Sequence, residues 1–195
     1  MKELLLATNN PKKVKEIRDL MQRMNYRVLT PRDLNLDFDV EETGTTFREN
    51  AQLKSSALYK LTGIPSLADD SGICVESLQG APRVYSARYG SPNWTDRERA
   101  EYLLENMKSF INRRAHYFCS ISYSREEGTE FFDADVHGVI EWDYDEKGKF
   151  GFGYDPIFYY PPFGERFSRV PTDRKNQISH RGKALRAFIH YINKF

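Results

Sequence analysis

Leu4-Leu5-Leu6-Ala7-Thr8-Asn9-Asn10-Pro11-Lys12-Lys13-Val14 is the stretch on which the fold turns. Its first four residues form a continuous apolar run of buried-strand character, and Val14, Ile17, Leu20, Met21 and Met24 then recur at helical spacing. Asn10 suits the helix N-cap and Pro11 the first helical position, where its missing N–H would be unsatisfied anyway. The chain opens strand, loop, helix. Further along, Thr46-x-x-Glu49 is a capping box that starts a second helix, running to about Leu61 before Gly63 and Pro65 end it. Leu67-Ala68 and Ile73-Cys74-Val75 read as two short buried strands on either side of a turn, Asp69-Asp70-Ser71-Gly72. A second capping box, Thr95-x-x-Glu98, starts a third helix with Ala100, Leu103, Leu104 and Met107 inward.

From Ala115 the period becomes two, and residues 115–124 and 129–140 predict a long hairpin around Glu126-Glu127-Gly128. A last helix starts after Ser179 and turns Ala184, Leu185, Phe188, Ile189 and Ile192 inward. Helices interleaved with strands, some of them hairpin-paired, give an α/β protein: a mixed, twisted sheet with flanking helices. With no repeat, linker or low-complexity block, residues 1–195 are expected to be one domain.

The 195 residues suffice to bury about 70% of the chain's surface on folding. A hydrophobic share of 39%, with 14% aromatics, excludes disorder. Twenty-nine basic residues against 28 acidic leave a formal charge of +1, so no global field draws the protein to nucleic acid or a membrane. The longest apolar run near the N-terminus, Leu4 to Ala7, is far short of a signal-peptide core. A cytoplasmic location is expected, with Cys74 and Cys119 as buried reduced thiols.

Two local rules are broken. Basic residues in a first helical turn oppose the macrodipole by a few tenths of a kcal/mol, yet the first helix begins Pro11-Lys12-Lys13-x-Lys15 and the last begins Arg181-Gly182-Lys183. A bound anion at such an end reverses the penalty, because backbone N–H groups, dipole and ammonium then point at it. The second anomaly has the opposite sign: Glu41-Glu42 and Asp69-Asp70 crowd carboxylates that repel unless a cation or shared proton intervenes. Oxygen ligands from one or two carboxylates, completed by phosphates, are what Mg2+ prefers. Together these features point to magnesium polyphosphate chemistry. The usual frameworks are missing: there is no GxxxxGK[ST], GxSxG or HExxH, and Gly151-x-Gly153 lacks the third glycine of a dinucleotide loop. His116, His137 and His190 fall in strand or helix patterns and read as packing or surface residues.

Seven motifs appear in one order. They are Thr8-x-Asn10-x-x-Lys13, Glu41-Glu42-Thr43-Gly44, Phe47-x-Glu49-Asn50-Ala51-x-x-Lys54, Ala68-Asp69-Asp70-Ser71-Gly72, Tyr85-Ser86-Ala87-Arg88, Gly151-Phe152-Gly153-Tyr154-Asp155-Pro156 and Ser179-His180-Arg181-Gly182. In this order the chain resembles the non-canonical purine NTP pyrophosphatases, the inosine and xanthosine triphosphate pyrophosphatase or Ham1-like family. Two stretches depart from the pattern: Arg83 stands where it has glycine, and Phe167-Ser168-Arg169 replaces a small-acidic segment before Lys175.

The resemblance implies two lobes around a central cleft, a homodimer, and Mg2+-dependent hydrolysis of ITP, dITP and XTP to the monophosphate and pyrophosphate, which would cleanse the nucleotide pool. Carried over residue by residue, it implies that Thr8, Asn9, Asn10 and Lys13 cradle the phosphates with Asn50 and Lys54, that Glu42 and Asp70, with Asp69, hold Mg2+, and that Asp70 activates the attacking water with Lys13 as its catalytic partner. Phe152, in its loop with Gly153 and Tyr154, would stack on the base; Lys175, His180 and Arg181 would donate to its oxo groups; Ser71 and Asp155 would orient the nucleotide. The alternatives are a Maf-like pyrophosphatase acting on other bases and a non-catalytic nucleotide- or RNA-binding module, the latter disfavoured by a dicarboxylate pair that an anion-binding surface would find repulsive.

Overall fold

The computed structural model describes residues 2–22 and 24–194. Strand β1 (Lys2–Leu6) leads into helix α1 (Pro11–Met21), and the Asn10 side chain accepts from the backbone N–H groups of Lys12 and Lys13 at 3.0 and 3.4 Å, so the expected cap forms. Strand β2 (Tyr26–Leu29) returns parallel to β1. Helix α2 (Phe47–Thr62) starts on the Thr46/Glu49 capping box and ends at Gly63, whose φ of +69° is the left-handed stop that glycine takes without a Cβ penalty. Strand β3 (Ser66–Val75) pairs parallel with β1, and α3 (Asp96–Asn106) starts on its own capping box. The hairpin is β4 (Arg114–Arg125) and β5 (Gly128–Ile140), followed by β6 (Phe158–Tyr160), β7 (Glu165–Arg166), α4 (Thr172–Ile178) and α5 (His180–Ile192). The sheet order is β2-β1-β3-β4-β5-β6-β7, parallel around β1 and antiparallel from β5 to β7. This is the mixed α/β sheet read from the sequence.

One expectation is corrected. The acid pair does not sit in a turn between two strands; Ser66–Val75 is a single strand of 10 residues, with Asp69 and Asp70 both buried within it. Successive strand residues face opposite sides of a sheet, so the two carboxylates point apart, Asp69 toward Lys13 and Arg181 and Asp70 toward Asn50 and Lys54. The Asp-Asp-Ser-Gly composition favours a turn locally, and the buried long-range contacts of the two carboxylates override it.

The chain forms two compact units, the first made of residues up to Asp70, Cys119–Ala134 and from Arg181 onward, the second of Ser71–Phe118 and Asp135–His180. In the first, the two sheet faces are separately packed: Leu4, Leu6, Leu67, Cys119 and Ile121 against Ile17, Met21, Leu185 and Phe188, and Leu5, Ala7 and Ala68 against Leu58. In the second, Ile73, Val75, Leu103, Tyr117, Val136, Phe158 and Phe167 form the core. Both cysteines are free and buried; burial pushes the Cys74 thiol up to about 11 and Cys119 higher still, so neither is a ready nucleophile.

Both departures from the family pattern have structural counterparts in the second unit. Arg83 adopts φ +52°, the left-handed conformation that glycine supplies most easily. In the Phe167-Ser168-Arg169 stretch, Phe167 joins the core, Ser168 Oγ donates to Asp145 Oδ2 at 2.7 Å, and Arg169 forks onto both oxygens of Asp145 at 2.8 and 2.9 Å.

Candidate active site

In the first unit the acid pair divides into two differently charged halves. Asp69 Oδ2 accepts from Lys13 Nζ at 3.0 Å and from Arg181 Nε at 3.1 Å, and Arg181 Nη1 reaches Glu16 Oε2 at 2.5 Å. Burial alone would raise Asp69, but the Lys13, Arg181 and Lys54 charges outweigh it and hold the carboxyl well below the usual range. Asp69 is therefore a permanent anion whose field is met by protein cations. Arg181, expected to donate to a base, is itself buried and has Nε and Nη1 committed to carboxylates. Its place in the first turn of α5 is explained by Asp69 and Glu16, without a bound anion.

Asp70 points the other way, toward α2. Asn50 Nδ2 donates to Asp70 Oδ2 at 3.2 Å, and the same amide is oriented by its oxygen, which accepts from the Gly44 N–H at 2.8 Å. A Cβ on Gly44 would stand 2.7 Å from that oxygen, so the Glu41-Glu42-Thr43-Gly44 segment needs glycine to approach Asn50 this closely. One helical turn on, Lys54 Nζ donates to Glu42 Oε1 at 2.6 Å and to the Asp69 carbonyl at 2.8 Å, and lies 4.0 Å from Asp70 Oδ1. The i, i+4 stripe read from α2 is thus real, and both of its polar members face carboxylates. Burial pushes Asp70 up, Lys54 and Lys13 pull it down, and Glu42 and Asp69 push it up again, leaving it at about 6. Thr8 Oγ1 accepts from the Asn10 N–H at 3.2 Å, while Asn9 Nδ2 donates to the Phe38 carbonyl at 3.0 Å, so this loop braces itself ahead of α1.

The second unit gathers another group of the sequence-predicted residues. Lys175 Nζ donates to Asp155 Oδ2 at 2.5 Å and lies 5.3 Å from the Phe152 ring centroid. Asp155 also accepts from Tyr117 OH at 3.2 Å and from the Phe152 N–H at 2.8 Å. Gly151, at φ +75°, leaves the room: a Cβ there would sit 2.1 Å from Asp155 Oδ2. Gly153 N–H donates to Asp96 Oδ2 at 3.0 Å, and Tyr154 OH donates to the Ser86 carbonyl at 2.8 Å. The His180 ring stacks on Tyr117, with centroids 4.8 Å apart and planes 6° from parallel. Ser71 follows Asp70 in β3 and is half-buried.

The Ham1 family model matches residues 4–191. The chain belongs to the Ham1 family. A relative from Leptospira biflexa named dITP/XTP pyrophosphatase is 48% identical over 98% of this chain and 96% of its own length, and one of the same name from Thermus thermophilus is 44% identical over 96% and 90%. The solved Ham1 protein of Staphylococcus aureus superposes with a TM-score of 0.90 at 39% identity over 99% of both chains, and that of Coxiella burnetii with 0.92 at 36% over the whole of both.

Within this Ham1-family chain, the donor set around Asp70 fits Mg2+. Glu42 and Asp70 converge on the single ammonium of Lys54, their atoms are all oxygen, and the raised Asp70 is a carboxylate that gains from a further cation. Among the described residues no group of three or more His, Cys, Asp or Glu side chains is assembled to hold a metal, and Mg2+ characteristically takes one or two carboxylates and leaves the rest of its shell to water and phosphate. Asp69, expected as a further ligand, has Oδ2 engaged by Lys13 and Arg181 instead.

Two Ham1-chain residues escaped the sequence reading. Glu16 is buried beside Ile17 on the inner face of α1 and anchors Arg181; the signal was an acid at i, i+3 from Lys13 on an otherwise apolar stripe. Tyr117 carries both the Asp155 hydrogen bond and the His180 stack, and in the sequence is one aromatic among many in β4.

Proposed function

We propose that this chain is a magnesium-dependent pyrophosphatase of non-canonical purine nucleoside triphosphates, converting ITP, dITP or XTP to the monophosphate and pyrophosphate. The observation that carries the reading is the asymmetry of the acid pair: Asp69 is paired with Lys13 at 3.0 Å and Arg181 at 3.1 Å, while its neighbour Asp70 faces the Asn50 amide at 3.2 Å and Lys54 at 4.0 Å, beside Glu42 on the same ammonium. The names of the relatives give the substrate class.

In this reading Asp70, oriented by Asn50, takes the proton of the water that attacks the α-phosphate. Lys54 and Lys13 lie beside the two acids and offer ammonium groups to the phosphate oxygens as charge develops there. Glu42 and Asp70 would hold Mg2+, which when bound supplies Lewis-acid neutralisation of phosphate charge and a lowered water pKa. Asp69 and Arg181 keep the local field fixed, so catalysis rests on positioning and electrostatics. In the second unit, Phe152 offers a ring face, while Lys175 and His180 offer donors to a 6-oxo purine.

The reading extends to a cytoplasmic homodimer with no nucleic-acid partner, supported by the family resemblance; among the described residues no helix is long and apolar enough to cross a membrane. The test is to incubate the purified protein and Mg2+ with ITP, dITP, XTP, GTP and ATP and to resolve the products. Pyrophosphate and monophosphate from the first three are expected. Orthophosphate with a diphosphate would place the attack at another phosphorus and overturn it.

A further inference from the structure

His116 and His137 belong to neighbouring strands of the hairpin and to the second unit, and neither takes part in the chemistry above. Tyr117 and Val136, their sequence neighbours, are both in the core, so strand alternation places the two histidines together on the opposite face. His116 is half-buried and His137 exposed. Their ring centroids lie 5.2 Å apart with the planes inclined at 34°. Asp135, two residues before His137 and on the same face, brings Oδ2 to 3.2 Å from His137 Nε2.

We propose that His116 and His137 form a second, chemically distinct cation site that takes a borderline transition-metal ion such as Zn2+, Ni2+ or Cu2+, with Asp135 as the carboxylate that orients His137. Three features argue for it. With metal–nitrogen bonds of about 2.0–2.1 Å, each imidazole centroid lies about 3.2 Å from the ion, so two ligands at a tetrahedral angle have centroids about 5 Å apart, as these do. A histidine that donates one ring N–H to a carboxylate keeps the other nitrogen as a lone-pair donor of fixed orientation, the usual outer-shell device of metal sites. Imidazole selects Zn, Cu and Ni over magnesium, so the ion expected at Glu42 and Asp70 does not compete for it. Two protein ligands leave the remaining positions to water, which makes the site open and weaker than a closed four-ligand one.

The test uses the untagged full chain in excess Mg2+, titrated with Cu2+ alone and followed by electron paramagnetic resonance. One copper per chain with hyperfine coupling to two imidazole nitrogens is expected. His116→Ala and His137→Ala should each reduce this to one nitrogen, and Asp135→Asn should weaken binding by about 10- to 100-fold. All three variants should hydrolyse nucleotides at the wild-type rate in saturating Mg2+, which separates this site from the one at Asp70. A spectrum unchanged in both histidine variants, or no stoichiometric copper in the wild type, overturns the proposal.

Discussion

Arg181 Nε lies 3.1 Å from Asp69 Oδ2, a contact 112 residues apart in sequence that lets one of two adjacent acids stay charged in the core. Its other arm reaches Glu16, so a single guanidinium compensates two buried carboxylates. Removing one partner of a buried ion pair leaves uncompensated charge and costs about 3–5 kcal/mol. Arg181→Ala should lose about that much in urea unfolding. Its residual activity should fall by the same factor on ITP, XTP and ATP, because the side chain acts through Asp69. A selective loss on ITP and XTP would return Arg181 to the base.

Asp70→Asn separates chemistry from stability. The amide keeps the contact with Asn50 but accepts no proton, so pyrophosphate release should fall about 10²-fold or more. Stability should move the other way. Asp70 is raised in the fold, from 3.8 to about 6, so its contribution is favourable below pH 3.8 and disappears as pH rises through 6. Above pH 6, without Mg2+, the variant should therefore be the more stable protein, by on the order of 3 kcal/mol. Equal or lower stability there would show that Asp70 is comfortably ionised.

Asp145 has the opposite sign. Hydrogen bonds from Arg169 are the main cause, with burial opposing them, and Ser168 and the Lys147 N–H adding to the effect; the carboxyl is held well below its ordinary range. The stability this supplies is present above the unfolded value near 3.9 and is lost as pH falls below it. Asp145→Asn should flatten the fall of melting temperature between about pH 4 and pH 2 relative to the wild type. Parallel curves would mean that the fork contributes nothing.

How far the sequence reaches depends on the range of the interactions that decide each element. The caps at Asn10, Thr46 and Thr95 are completed within four residues, and all three helices begin where expected. The two-residue turn at Glu126-Glu127 is equally local, and the hairpin follows. Strand β3 runs straight through the expected turn at Asp69, whose carboxylate is met by Arg181 and Lys13, partners remote in sequence. Helix α4 carries little local signal in the sequence: it has 7 residues and no side-chain cap, and Lys175 and Asn176 on its inner face are polar. The Asn50 and Lys54 stripe was legible from spacing; that it grips carboxylates, with Gly44 holding the amide, needed coordinates.

Gly151→Ala tests the support of Asp155. The backbone there is left-handed, and the new methyl would fall 2.1 Å from the Asp155 carboxylate. Strain of about 1–3 kcal/mol is expected, together with release of Lys175 and a raised KM for ITP. An unchanged KM would mean that Asp155 and Lys175 do not meet the nucleotide.

If Lys175 meets the base as proposed, it contributes to base selection as a donor only. A 6-oxo purine offers it an acceptor, whereas ATP offers a 6-amino group, leaving both donors unpaired; sites built to hydrogen-bond a substrate discriminate against such mismatches by roughly 10⁴-fold. ATP should therefore be a poor substrate. Lys175→Gln supplies an amide that can either donate or accept, so it should narrow the ITP-to-ATP ratio of kcat/KM. Alone it would strand the buried Asp155 carboxylate, which Lys175 now meets at 2.5 Å, and could fail through folding. The double variant Lys175→Gln/Asp155→Asn removes that charge while retaining hydrogen-bonding groups for Tyr117 and the Phe152 N–H. With fold confirmed by circular dichroism, its ratio should drop by at least tenfold. A ratio that stays at the wild-type value would mean that discrimination lies elsewhere, and would leave Lys175 as the structural partner of Asp155 beneath the Phe152 ring.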